Sequence, residues 1–156
     1  MQDFVHLHVH TQYSLLDGQA SVARLVDKAM KNGMKGIAVT DHGNMFGIKE
    51  FTNYVNKKNS GPKGEVKDLK KRIAGIEAGT IECEDKEAEI AACKAKIVEA
   101  ENKLFKPIIG CEMYVARRTM DLKEGKPDQS GYHLIVLAKN ETGYHNLIKL
   151  VYASAY

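Results

Sequence analysis

Apolar residues and histidines alternate strictly over residues 5–10, within the run Phe4–Thr11. The histidines are His6, His8 and His10. An alternation with a period of two predicts a β-strand, so the three imidazoles are expected to share one face of it. Because imidazole is the commonest nitrogen ligand of zinc, iron and manganese ions in proteins, the strand is predicted to bind a metal ion.

Hydrophobic spacing predicts that strands and helices alternate along most of the chain. Three further strands are expected at 36–40, 108–115 and 133–138, and three helices at about 20–30, 46–55 and 143–156. Ser21 is predicted to cap the first helix and Gly33 to end it. Alternation of this kind favours parallel strand pairing in an α/β fold.

A segment of about 57–104 interrupts this alternation. It opens with Asn59–Gly64, whose glycines and proline predict a linker-like loop. From Glu65 onwards, apolar residues recur at spacings of three, four and seven, which predicts two antiparallel helices joined as a hairpin. Because the charges between them are mixed in sign, we expect a solvated insertion that projects away from the strand ends rather than a partner-binding arm.

Composition narrows the class of protein only a little. A length of 156 residues suits one domain, and a formal net charge of +3 is too small to indicate a nucleic-acid-binding protein. No signal segment and no membrane-spanning apolar run are evident in the sequence. The three cysteines, Cys83, Cys93 and Cys111, fit no disulfide or zinc-finger spacing, so reduced thiols in the cytoplasm are expected, with Cys111 buried as a small hydrophobic residue.

Side chains that can ligate metals cluster where the predicted strands end. His8 and His10 close the first strand, Asp41 and His42 follow the second, and Glu112 lies late in the third. Active sites of β/α barrels form at the carboxyl ends of the strands, so these side chains are expected to converge in one pocket. Mixed nitrogen and carboxylate ligands suit zinc, manganese or iron and disfavour calcium or magnesium alone.

Two further candidates lie away from the strand ends. Asp17 is in the loop after the first strand, from which it could lean over the same mouth. His133 begins its strand, so parallel pairing would place it at the opposite edge of the sheet. A cluster rich in both ligand types can hold more than one ion, and adjacent ions suit the hydrolysis of phosphate esters.

Several short motifs resemble those of the polymerase and histidinol phosphatase (PHP) superfamily, namely His8–Thr11, Leu16–Gly18, Thr40–Asn44 and Ile108–Glu112. A narrower resemblance, to the N-terminal PHP domain of bacterial DNA polymerase III alpha subunits, rests on Gly43–Gly47, Glu112–Ala116, Ala138–Tyr144 and Asn146–Leu150. The resemblance covers both sides of the insertion.

This resemblance implies part of a distorted, TIM-like β/α barrel of the PHP type, whose mouth holds up to three divalent ions of zinc, manganese or iron. Asp41 matches the family's Thr-Asp-His motif and is expected to orient an imidazole rather than to ligate. For His6 the alternatives are core packing, support of a ligand and direct ligation, in that order. The family's ligand pattern corresponds here to His8, His10, Asp17, His42, Glu112 and His133.

The resemblance also implies a function in DNA replication. The chain is expected to be the PHP part of a cytoplasmic DNA-directed DNA polymerase and to act as a metal-dependent phosphoesterase, with a 3′–5′ exonuclease role in proofreading. Primer-template DNA and other replisome subunits are the partners implied, with no membrane, and the polymerase site of such a protein uses magnesium. The alternatives are a free-standing phosphatase of the histidinol-phosphatase type and a non-catalytic structural module.

A complete β/α barrel usually takes about 250 residues. The 156 residues are therefore expected to hold the N-terminal portion of the domain, without the rest of the barrel or the polymerase palm. The resemblance implies no catalytic residue separate from the metal ligands. Because the family has further ligands late in the domain, the isolated chain is expected to be inactive as a nuclease or a polymerase.

Overall fold

The computed structural model describes residues 4–129 and 131–154, and the predicted mixed α/β class is confirmed over these residues. The final two positions of the helix predicted at 143–156 lie outside the described residues. Residues up to Tyr54 and from Lys106 onwards form one compact unit, and Val55–Phe105 forms a second. The elements are α1 (Val22–Lys31), β1 (Gly36–Val39), α2 (Ile48–Lys58), α3 (Ser60–Glu77), α4 (Lys86–Asn102), β2 (Lys106–Val115), β3 (Tyr132–Leu137) and α5 (Glu141–Ser154), with a 3₁₀ turn at Lys126–Asp128.

The three strands of the first unit form a sheet in the order β1-β2-β3, with β2 in the middle. β1 and β2 are parallel, as predicted, and Val39 pairs with Ile109. The prediction of parallel pairing is wrong for β3, which runs antiparallel to β2. The reason is the connection between these strands, in which the described residues form only a 3₁₀ turn and no crossover helix of the kind that parallel neighbours require.

The prediction of a regular strand at residues 4–11 is wrong, although this segment does lie along β1. The carbonyls of His6 and Val9 accept hydrogen bonds from the amides of Ala38 and Thr40, both at 2.9 Å. Three residues on one side therefore match two on the other, which leaves one extra residue in the N-terminal segment, as in a β-bulge. Within this segment His8 and His10 contact each other through their Nε2 atoms at 3.1 Å, whereas the ring of His6 meets that of Phe4.

Helices cover the sheet of the first unit at points that the sequence signals. The Ser21 hydroxyl caps α1 by accepting a hydrogen bond from the Arg24 amide, and Gly33 follows the helix with a φ of 76°. Further along the chain, Leu147 of α5 packs against Cys111 and Met113 of β2. Cys111 is buried, as predicted. None of the helices in the described ranges is both long and apolar enough to cross a membrane.

The second unit, Val55–Phe105, consists of α3 and α4 together with the residues that lead into and out of them. Arg72 of α3 and Glu89 of α4 form an ion pair of 2.7 Å. The prediction of a loop at Asn59–Gly64 is wrong, because α3 already begins at Ser60. Pro62 lies in the first turn of that helix, where the amide that proline lacks has no partner within the helix, so proline is tolerated there.

A side-chain clamp joins the two ends of the second unit. The buried Asn59 amide group donates to the Phe105 carbonyl at 2.8 Å and accepts from the Phe105 amide at 2.9 Å. The asparagine thus imitates a paired backbone segment and satisfies both buried polar groups of Phe105. This arrangement fixes where the inserted helices leave the chain and where they return to it.

Replacing Asn59 with alanine is expected to lower the free energy of unfolding by about 1–3 kcal/mol, because two buried backbone groups lose their partners. Chemical denaturation followed by circular dichroism measures this. Asn56→Ala is the matched control, since Asn56 is exposed and bonds to Lys63 Nζ at the surface. The control is expected to change stability by less than about 0.5 kcal/mol. Equal effects of the two substitutions would contradict the clamp.

Candidate metal centre

The ends of β1 and β2 place His42 and Glu112 side by side. The two residues form a parallel β-bridge just beyond the regular strand pairing. The Glu112 amide donates to the Asp41 carbonyl at 3.1 Å, and the Gly43 amide donates to the Glu112 carbonyl at 2.9 Å. Backbone pairing therefore holds the two side chains at the same edge of the sheet, as the strand-end positions predicted.

Four imidazoles surround the carboxylate of Glu112. His10 Nε2 and His42 Nδ1 lie 2.8 and 2.9 Å from Oε2. His133 Nδ1 lies 3.0 Å from Oε1, and His8 Nε2 lies 3.7 Å from the same oxygen. Glu112 of β2 is thus the common neighbour of side chains from the N-terminal segment, the end of β1 and the start of β3.

Asp17 approaches the same group from the loop after the N-terminal segment. Its Oδ2 lies 3.1 Å from His10 Nδ1 and 3.7 Å from His42 Nδ1. The structure therefore brings together all six residues that the family resemblance names. Those six are His8, His10, Asp17, His42, Glu112 and His133.

The direction of β3 explains the position of His133. In an antiparallel pair the start of one strand lies beside the end of the other, and His133 pairs with Tyr114 near the end of β2. Parallel pairing, which the sequence pattern favoured, would have put this histidine at the far edge of the sheet. The antiparallel return of the chain brings it to within 3.0 Å of Glu112 instead.

Electrostatics keep both carboxylates of the group ionised. Burial of Glu112, which is only 5% exposed, favours its neutral form, but hydrogen bonding to His42 and His133 and the charges of His10 and His8 outweigh burial and lower its pKa. For Asp17, a hydrogen bond with Ser14 is the main cause of a lowered pKa, and His10 and His42 add to it. Ionised carboxylates are the form that ligates metal ions.

The loop that carries Asp17 is held by contacts with His42, which follows β1, and with Thr11 of the N-terminal segment. The buried Ser14 hydroxyl accepts a hydrogen bond from the His42 amide at 3.0 Å. At Gly18 the backbone passes so close that a Cβ atom would lie 1.9 Å from the Thr11 carbonyl oxygen. Only glycine fits there, which fixes the turn that aims Asp17 at His10.

Asp41 lies beneath the group, fully buried, and Thr11 holds both of its oxygens. The Thr11 amide donates to Oδ1 at 2.6 Å and the Thr11 hydroxyl to Oδ2 at 2.8 Å. Burial raises the pKa of Asp41, and the bonds from Thr11 oppose that rise. These bonds fix the backbone next to His10, whereas the sequence reasoning expected Asp41 to act on an imidazole ring.

His6 lies apart from the group. It is exposed, so the leading interpretation of core packing is wrong, and its ring meets Phe4 edge to face with centroids 4.7 Å apart. Sequence reasoning also missed Tyr114, whose hydroxyl contacts His42 Nε2 and whose ring meets those of His42 and His133 edge to face. The signal available was its place two residues after Glu112, on the same face of β2.

The donor set fits a divalent metal ion. One ligand atom from each of His10, Asp17, His42 and Glu112 lies within 4.8 Å of the others, and these residues could hold an ion together. Neutral imidazole nitrogens combined with carboxylate oxygens suit zinc, manganese and iron. Asp17 and His8 are accessible from solvent, which leaves a path for an ion to enter.

A mixed α/β sheet with imidazoles and carboxylates gathered at its strand ends defines a domain with a candidate divalent-metal centre. Residues 6–156 match the PHP domain family, and the chain belongs to that family. It is 40% identical over 148 residues to the DNA polymerase III subunit alpha of Treponema pallidum and 41% identical over 150 residues to that of Borreliella burgdorferi. The Aquifex aeolicus subunit is 32% identical over 155 residues.

These alignments cover nearly all of this chain but a small part of each relative. They span 94% of the chain for the first two relatives and 96% for the third, against 9%, 9% and 10% of the relatives themselves. The chain therefore spans about a tenth of the length of the curated relatives it matches. What it shares with them is the PHP region.

The contact between Thr11 and Asp41 can be tested by substituting the threonine. Thr11→Val keeps the shape of the side chain but leaves a buried carboxylate oxygen without its donor, so the free energy of unfolding is expected to fall by about 1–3 kcal/mol. Denaturation monitored by circular dichroism gives the value. Thr11→Ser, which keeps the hydroxyl, is expected to lose clearly less. If valine and serine had the same effect, the hydroxyl would not support Asp41.

Proposed function

We propose that this chain is the metal-binding PHP domain of a replicative DNA polymerase III alpha subunit and takes part in hydrolysing phosphodiester bonds at the primer 3′ end. The observation that carries the proposal is the convergence of His10, Asp17, His42 and Glu112 within 4.8 Å. The family membership and the polymerase relatives support the replication context. Primer-template DNA and other replisome subunits are the partners that this context implies.

We assign the metal ligands to the six convergent side chains, and the fold to part of a distorted PHP-type β/α barrel with Val55–Phe105 inserted. Zinc, manganese or iron is the ion expected, and the number of donor atoms is sufficient for more than one ion, up to the three of the family. Asp41 supports the site through Thr11. The ligands are His8, His10, Asp17, His42, Glu112 and His133.

The chemistry assigns each part of the site a task. When bound, divalent ions supply an activated water and neutralise charge on the phosphoryl oxygens. Glu112 and Asp17 would provide the negative charge that retains the ions, because carboxyl groups are ordinarily ionised at neutral pH. The two nearby protein nucleophiles are not expected to replace water as the attacking group. Ser14 is fully buried, and burial raises the pKa of the Cys111 thiol to about 11.

Metal binding is tested on the purified chain, stripped with a chelator and titrated with Mn²⁺ or Zn²⁺ by calorimetry. His10→Ala is expected to weaken binding by at least about 10–100-fold, the usual effect of losing a group in the coordination shells. His145→Ala is the matched control, since this histidine lies on α5 and pairs only loosely with Glu141, at 3.9 Å. Equal affinity of the two variants would remove His10 from the site.

The phosphodiesterase step is tested in the complete polymerase polypeptide that carries the chain. Loss of primer 3′ nucleotides is expected to depend on manganese or zinc and to stop on chelation. His10→Ala is expected to abolish that loss while nucleotide addition continues, because polymerisation uses other residues. A polymerase that binds the metal but removes no nucleotides would overturn the hydrolytic role and leave a structural one.

A further inference from the structure

A cleft of about 870 Å³ opens directly beside the candidate metal centre. Tyr114 and His133 belong to both, since they line the cleft and also contact His42 or Glu112. The remaining walls come from the connection between β2 and β3 and from the end of α5. A substrate whose phosphate lay at the metal centre would therefore extend its next chemical group into this cleft.

Asp128 lines the cleft and is held in place by a network around Arg118. Its guanidinium donates to Asp128 Oδ1 at 2.9 Å, to Asp128 Oδ2 at 2.5 Å and to Glu124 at 3.0 Å. Asp128 Oδ2 also accepts from the Glu124 amide at 2.7 Å. A bidentate pair of this kind restrains the part of the connection that lines the cleft.

The chemistry of the lining suits a nucleoside. Tyr114 is 53% exposed, and its ring meets those of His42 and His133 edge to face, which makes it a preorganised surface for stacking a base. Arg117 and Lys123 line the cleft with Asp121, while Arg118 compensates Asp128. The positive and negative side chains of the cleft therefore balance, and recognition of a nucleoside rests on the ring of Tyr114.

We propose that this cleft receives the terminal nucleoside of a single-stranded nucleic-acid 3′ end, and that Tyr114 positions it by stacking on the base. The inference rests on the proposed phosphoesterase function and names the substrate that the site would take. A small phosphomonoester would use the metal centre alone, whereas a nucleic acid would also occupy the cleft. Tyr114 is thus a positioning residue that separates these two substrate classes.

The test measures binding in excess chelator, so that it does not depend on metal or on hydrolysis. The probe is a short single-stranded oligodeoxynucleotide with 2-aminopurine at its 3′ end, whose fluorescence falls when the base stacks on an aromatic ring. The same oligonucleotide labelled at its 5′ end serves as the comparison. Quenching is expected for the 3′ label only, and equal quenching of both labels would overturn the proposal.

Three variants of the chain isolate the ring of Tyr114. Tyr114→Leu is expected to weaken binding by about 10- to 100-fold, the effect of losing one base–aromatic stack. Tyr114→Phe keeps the ring and is expected to bind within about twofold of the parent chain. Tyr152→Leu is the matched control, because Tyr152 is an exposed tyrosine of α5 that does not line the cleft. A phenylalanine variant as weak as the leucine variant would overturn the stacking role.

Competition separates a nucleoside site from a phosphate site. Deoxyadenosine monophosphate is expected to displace the labelled oligonucleotide, and inorganic phosphate at the same concentration is expected to leave it bound. Displacement by phosphate to the same extent would contradict the proposal. Loss of hydrolysis in the metal-loaded polymerase with normal quenching here would count against the proposed function and not against the cleft.

Discussion

The structure of the candidate site depends on one buried carboxylate, that of Glu112. A buried carboxylate is tolerated only where charged or hydrogen-bonding partners replace water, and imidazoles from three other segments do so here. Because Glu112 lies on the middle strand of the sheet, each partner reaches it through a different backbone pairing. His42 follows β1, His133 lies at the start of β3, and His10 lies in the N-terminal segment that runs along β1. An error in any one pairing would remove a donor from the group.

Local pattern was sufficient to predict the elements that carry most of this group. β1 and β2 are short apolar runs with polar residues at their ends, and residues at the carboxyl ends of neighbouring parallel strands must meet, so His42 and Glu112 were placed correctly. The cap of α1 was equally readable, because Ser21 precedes a helical spacing of apolar residues. Position on the strands and loops also made His8, His10 and Asp17 candidates, whereas His133 was assigned from the family resemblance alone.

What pattern could not predict arises from contacts between distant residues. The Thr40 hydroxyl accepts a hydrogen bond from the Val9 amide at 2.9 Å, in place of a regular ladder partner, and the N-terminal segment gains one extra residue against β1. Of the three histidines that are equivalent in the sequence, His8 and His10 lie beside Glu112, whereas the ring of His6 meets that of Phe4. The loop prediction for Asn59–Gly64 failed for a different reason. Glycine and proline in the first turn of a helix give that turn the same composition as a loop.

The reversal of β3 links the metal centre to the cleft beside it. A crossover helix between β2 and β3 would have made these strands parallel and carried His133 to the opposite edge of the sheet. The actual connection instead returns directly, and it lines the cleft with residues that include Asp128, the partner of Arg118. One feature of the chain therefore supplies both a donor to Glu112 and the space next to it. Any change that lengthened this connection into a helix would be expected to remove the two together.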